Sequence, residues 1–129
     1  MSSSDYAENK VADHLLGTTA WSTVSQVYIK LHTGDPGEAC TSNAASHSTR
    51  VAGNWNASSG GVAALSSTVT WTAVGASETY THISLWDASS GGNALAYGAL
   101  ASSAAIVAGN TFELTACNCL LYTSPSPRD

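Results

Sequence analysis

The sequence predicts an all-β fold: an antiparallel, jelly-roll-like β-sandwich with one short N-terminal α-helix. Three observations carry that expectation. Runs such as Gln26 to Thr33 and Thr79 to Trp86 alternate apolar and polar residues, which is the period of a half-buried strand. Clusters rich in Gly, Ser, Asn and Asp separate these runs, at the spacing of short strands joined by tight turns. A helical period occurs once, close to the N-terminus.

The helix is expected over residues 5–16. Asp5 is placed to cap it, with Glu8 three residues on completing a capping box. Ala7, Val11 and Leu15 form one apolar stripe, and Gly17 is a natural stop. So short a helix is marginal alone and must pack on something.

The strands follow. In Gln26 to Thr33, Val27, Ile29 and Leu31 face one way, and Tyr28, Lys30 and His32 the other. Gly34-Asp-Pro-Gly37 marks a turn, and Ala39 to Ser48, small and polar, reads as an exposed loop. Thr49 to Trp55 suits a short strand before the turn Ala57-Ser-Ser-Gly-Gly61. Val62 to Val74 alternates as one run, with Leu65, Val69, Trp71 and Ala73 on one face. In Thr79 to Trp86, Ile83 and Leu85 oppose His82, Ser84 and Trp86, and Ser84 is expected to be the more exposed side. After the turn Asp87 to Gly92, Ala94 to Leu100 and Ala104 to Val107 read as two short strands, and Thr111 to Cys117 as the last. The expected core is Val27, Ile29, Leu31, Val69, Trp71, Ile83, Leu85 and Leu95, with Val11 and Leu15 closing one end. The four tryptophans are assigned to packing, because an alanine-rich sandwich needs a few large side chains to fill it.

Composition narrows function. With 129 residues the chain fits one domain, placed here at residues 1–118. Only 10% of residues are charged and the net charge is −5, so there is no basic footprint for nucleic acid and no attraction to anionic membranes. The N-terminal MSSSDYAENK lacks the basic-then-apolar order of a signal peptide. Cys40, Cys117 and Cys119 form no disulfide framework, and His14, His32, His47 and His82 are scattered singly rather than at zinc-ligand spacing. No metal or cofactor is expected.

No nucleophile elbow, P-loop or dinucleotide fingerprint is present. Asp35 and Glu38 flank a turn and are the one carboxylate pair suited to acid–base work or calcium, although turn chemistry alone accounts for the aspartate. His82, Asp87 and the abundant serines supply the parts of a triad without its geometry, and geometry is what makes one. The expectation is therefore a protein that is not an enzyme. Its loops, Gly34 to His47 and Asp87 to Gly92, are the expected contact surfaces, with Asp35, Glu38, His47, Asp87 and Asn93 as interaction residues.

The runs SDYAENKVADHLLG, VYIKLHTGDPGEA, THISLWDASSGGNALAYGAL and VAGNTFEL, in that order over residues 4–115, resemble a group of small tailed-bacteriophage virion proteins of the tail fibre or minor tail type. That group shows a short helix, a "YVALHTGDPG"-like strand and turn, a "THVGLWDA"-like strand, a Gly-Gly turn and a final "GDTFxI" strand. Two departures stand out. His47-Ser-Thr-Arg50 replaces a usual Tyr-Ala-Arg, and Cys40 stands where glycine is common. The resemblance implies a virion structural protein, assembled in the bacterial cytoplasm, that binds copies of itself and other virion proteins. It supplies no catalytic residue. Few charges blunt the strand edges, with only three basic residues, Lys10, Lys30 and Arg50, before the C-terminal segment. A symmetric trimer or hexamer would cover such edges. The alternatives are a capsid decoration (cement) protein and a module binding a host-surface glycan.

The last eleven residues, CLLYTSPSPRD, break the pattern. One reading frame of a common transposase-type sequencing-library adapter translates to them without a mismatch. Residues 119–129 are therefore expected to be a non-native, adapter-derived tail, which implies a metagenomic origin.

Overall fold

A computed structural model describes residues 1–120. The fold is antiparallel and mostly β: β1 (Ser2–Ser3), α1 (Asp5–Leu15), β2 (Val27–His32), β3 (Val51–Gly53), β4 (Val62–Ala64), β5 (Val69–Trp71), β6 (Glu78–Trp86), β7 (Ala94–Ile106), β8 (Phe112–Leu114) and β9 (Asn118–Leu120). One sheet has the order β1-β7-β6-β2-β3, and two ribbons, β4-β9 and β5-β8, complete the strand pairing.

The core is built on the alternation. Ile29 pairs with Leu85 and Leu31 with Ile83 across β2 and β6. Val69 pairs with Leu114 and Trp71 with Phe112 across β5 and β8. All eight are buried in one cluster: the sequence predicts Ile29, Leu31, Val69, Trp71, Ile83 and Leu85 there, and Phe112 and Leu114 join them. Val27 and Leu95 are only partly buried against it. Tyr80, which strict alternation would group with His82 and Ser84, joins this core instead, next to an irregularity in the β6–β7 ladder between Tyr80 and His82. Its ring meets Phe112 edge-on at 5.3 Å.

Several expectations need correction. Ser4, not Asp5, caps α1: its Oγ accepts the Ala7 N–H at 3.1 Å. The Ser4 N–H and Oγ–H also donate to the carbonyls of Leu95 and Ala94, which docks the helix start on β7. Gly17 does follow the helix with φ +76°, the left-handed conformation of a C-terminal stop. The helix does not close the core, however. Ala7 is its one buried residue, and Leu15 and Leu16 are 76% and 78% exposed. Val62 to Val74 is two strands in two ribbons, and Ala73 is exposed with φ +50°. The segments Ala94 to Leu100 and Ala104 to Val107 are one strand, β7, with its serines inside an irregular stretch of the ladder.

The sheet is covered on both faces. The 39–48 segment is not simply an exposed loop, since Cys40 and Ala45 are buried. Ser84 is fully buried, slightly more so than Ile83 (2%) and Leu85 (4%), so exposure does not separate the two faces of β6. An antiparallel sheet commonly leaves one face to water, but here the GDPGEAC loop lies over the second one. Cys119 and Leu120, at the start of the adapter-like segment, pair with Ala63 and Val62 in β9. The remainder of that segment lies outside the described residues.

Candidate functional site

The second face of the sheet gathers most of the polar chemistry. His32, on β2, is fully buried. Its Nδ1 lies 2.9 Å from the carbonyl oxygen of Ser42, and its Nε2 lies 2.7 Å from Ser84 Oγ. Trp86 Nε1–H donates to the same Ser84 Oγ at 2.8 Å. A carbonyl only accepts, so Nδ1 carries the ring proton and Nε2 accepts from the serine. Burial pushes the His32 pKa down, against the hydrogen bond to Ser42. The result is a serine hydroxyl donating to a neutral histidine, the wiring of a nucleophile and base. Ser84 nonetheless has no exposure to substrate, and its oxygen is already held by the tryptophan.

Two loops border this face. In the first, Asp35 Oδ1 accepts the Gly37 N–H at 2.9 Å, an Asx turn that explains the aspartate. Pro36 and Cys40 are buried beneath it, and Cys40 packs with Trp86 and Ala94 at the base of the second loop. The Cys40 thiol is pushed up to about 11, by burial first and then by Glu38 and Asp35. In the second loop, Asp87 takes the Asn93 N–H at 2.7 Å and the Asn93 amide at 3.2 Å. Gly92 is required there, because a Cβ would come within 2.4 Å of Asp87 Oδ1. Arg50 stacks over Trp86 at 4.0 Å, and its Nη1 donates to the carbonyls of Ala88 and Gly91.

Of the five expected interaction residues, Asp35, Glu38, Asp87 and Asn93 therefore belong to two loops joined through Cys40, Trp86 and Ala94. His47 does not join them. Its N–H and that of Ser46 are held by Glu78 at the far end of β6, and its ring accepts from Gly75. His82 sits beside Thr81, 2.8 Å from its hydroxyl, rather than in a triad with Asp87. Sequence reasoning missed Arg50, His32 and Ser84. The available signal was Trp86 itself, a large apolar ring assigned to packing but placed on the strand face expected to be the more exposed.

Exposed Asp5, Glu8 and Glu38 also come together, with carboxylate oxygens within 4.8 Å of one another. A cleft of about 510 Å³ opens between the Ala99–Ala104 stretch of β7 and the run from Phe112 to Cys117, with Met1 and Ile83 also lining it. Glu113 is the one carboxylate lining it among the described residues, so no acid–base pair faces the cleft.

The family model described as Gp80, podophage GP4 fiber I protein gp80, matches residues 2–121. No curated protein matches the chain.

Proposed function

The chain belongs to the podophage GP4 fiber I protein gp80 family, and from that premise we propose that it is a non-enzymatic virion component that self-associates and binds other virion proteins. The match over residues 2–121 carries this reading, since it spans helix, sheet and both ribbons. The site chemistry supports it. The best-wired nucleophile, Ser84, is buried beneath a loop, and among the described residues the open cleft is lined by one carboxylate, Glu113, with no acid–base partner.

Self-association would be symmetric, as a trimer or hexamer, and would cover free strand edges. The Asp35–Glu38 loop and the Asp87–Asn93 loop are the proposed contacts. Both are locked by internal hydrogen bonds, so little ordering cost is left for binding. His47, tied to the other end of the sheet, belongs to a separate contact.

The test is an assay panel on the purified chain. It should turn over no peptidoglycan or polysaccharide, and it should bind virion proteins of the same phage. Turnover abolished by Asp35→Ala or His82→Ala would replace this reading with an enzyme. Micromolar polysaccharide binding by a strict monomer would replace it with the glycan-binding module.

A further inference from the structure

We propose that Lys30 and Arg50, set side by side over Trp86, form a carboxylate-binding site that a second copy of this chain fills with an acidic side chain. The inference rests on the self-association reading and gives it a contact.

The sheet register brings the two cations together. Val27 pairs with Gly53, Tyr28 with Ala52 and Ile29 with Val51. One step further along the same register sets Lys30 opposite Arg50. Both reach the same indole: Lys30 Nζ lies 5.7 Å and Arg50 Cζ 4.0 Å from the centre of the Trp86 ring. Like charges directly opposed across two strands repel. Burial and the neighbouring Arg50 both push the Lys30 pKa down.

Neither cation is neutralised by this chain. Among the described residues, Lys30 Nζ has no hydrogen bond or ion pair. Arg50 spends Nη1 on the carbonyls of Ala88 and Gly91, and its Nε–H and Nη2–H groups take no partner among the described residues. Asp87 acts on Arg50, but its two oxygens already hold the Asn93 N–H and side-chain amide. The unused Nε–Nη2 edge is the fork that takes a carboxylate through two parallel hydrogen bonds. Stacking on Trp86 and the two Nη1 bonds fix the plane of that fork in advance, which lowers the ordering cost of binding.

A second copy supplies the matching group. The chain has nine acidic residues against four basic ones. Asp5, Glu8 and Glu38 are all exposed. Lys10 sits on α1 among Asp5, Glu8 and Asp13, so Lys30 and Arg50 are the one pair of adjoining cations among the described residues. They border the Asp87–Asn93 turn, which is a proposed contact on separate grounds. A cationic site on one copy filled by an acid from elsewhere on the next is a head-to-tail contact, and such contacts close into rings.

The experiment is light scattering on the full chain over a dilution series, for wild type, Lys30→Gln and Lys30→Arg. Lys30→Gln should dissociate at a concentration at least about tenfold above wild type, and Lys30→Arg close to wild type. At a dilution where all are monomers, Lys30→Gln should melt no lower than wild type, because it removes a repulsion. There, acetate replacing chloride at constant ionic strength should shift the Arg50 Nε–H resonance of the wild type. Equal dissociation of Lys30→Gln and wild type overturns the site and leaves self-association standing. So does a Lys30→Arg chain that behaves as Lys30→Gln, a lower melting point in Lys30→Gln, or an Arg50 signal that ignores acetate. A wild type that is monomeric at every concentration overturns self-association and this contact with it. Binding of a uronic-acid polysaccharide that Lys30→Gln abolishes, with its mass unchanged, overturns the assigned partner and gives the cations to a glycan.

Discussion

Arg50 lies 4.0 Å over the ring of Trp86 and at the same time donates from Nη1 to the carbonyl oxygens of Ala88 and Gly91. One guanidinium thus ties the segment leading into β3 to the end of β6 and to the turn that follows it. The arrangement uses both properties that set arginine apart from lysine, a flat stacking face and a rigid fork of donors.

Arg50→Ala should therefore destabilise the fold by about 1–3 kcal/mol, from a lost cation–π contact and two carbonyls left without their donor. Arg50→Lys should recover only part of this, because an ammonium cannot stack and bridge both carbonyls together. Urea denaturation of the three proteins checks the order. In both variants, amide exchange in the Asp87–Asn93 turn should quicken.

Stability should fall with acid, because of His32. Its folded pKa lies below the ordinary histidine value, so the unfolded chain binds more protons below that value. The stabilisation is fully present above about pH 6.5, the unfolded histidine value, and is lost as the pH falls from there toward the folded pKa. Thermal midpoints between pH 8 and pH 5 should show this slope, and His32→Gln should flatten part of it.

Leu85 and Leu15 make a contrast that sequence pattern alone does not reveal. Leu85 is 4% exposed within the main core, and Leu85→Ala should cost about 2–5 kcal/mol. Leu15, 76% exposed, lost its expected place in the core, and Leu15→Ala should change stability by no more than about 0.5 kcal/mol. Denaturant midpoints on the two variants decide both.

Cys40 has φ +58°, a conformation in which glycine carries no Cβ penalty. That gives a backbone reason for the glycine common at this position in the resembling proteins. Cys40→Gly should trade relief of that strain against a fully buried side chain packed on Trp86 and Ala94. The thiol itself, pushed up to about 11 and buried, should be inert to a thiol-disulfide reagent at pH 8 until the chain is unfolded.

The main core was legible because Val27 to Leu31 and Thr79 to Trp86 alternate cleanly, and the phase they predict pairs Ile29 with Leu85. The second buried face was not. Its lid is made of small and turn-forming residues, Pro36, Cys40 and Ala45, whose burial leaves no periodic trace. Strand β1, two residues long, is too short to carry a period. Strand β7 runs through Ser102 and Ser103, which read as a break because propensity is overridden by pairing along Glu78–Tyr80. The helix misled in the opposite way: a four-residue apolar spacing was present, but docking at Ser4 leaves its far end in solvent. At the candidate site, turn chemistry makes Asp35 legible as a loop residue, and its bond to the Gly37 N–H accounts for it. The buried Ser84–His32 pair was not legible, since residues 52 positions apart in sequence meet only through the β2–β6 register.

The central claim is that this fibre-family chain works by assembly. Size-exclusion chromatography with multi-angle light scattering measures that most directly. The account predicts a mass three or six times the 13.1 kDa of one chain, held across a tenfold dilution. A single species at 13.1 kDa at every concentration would contradict it.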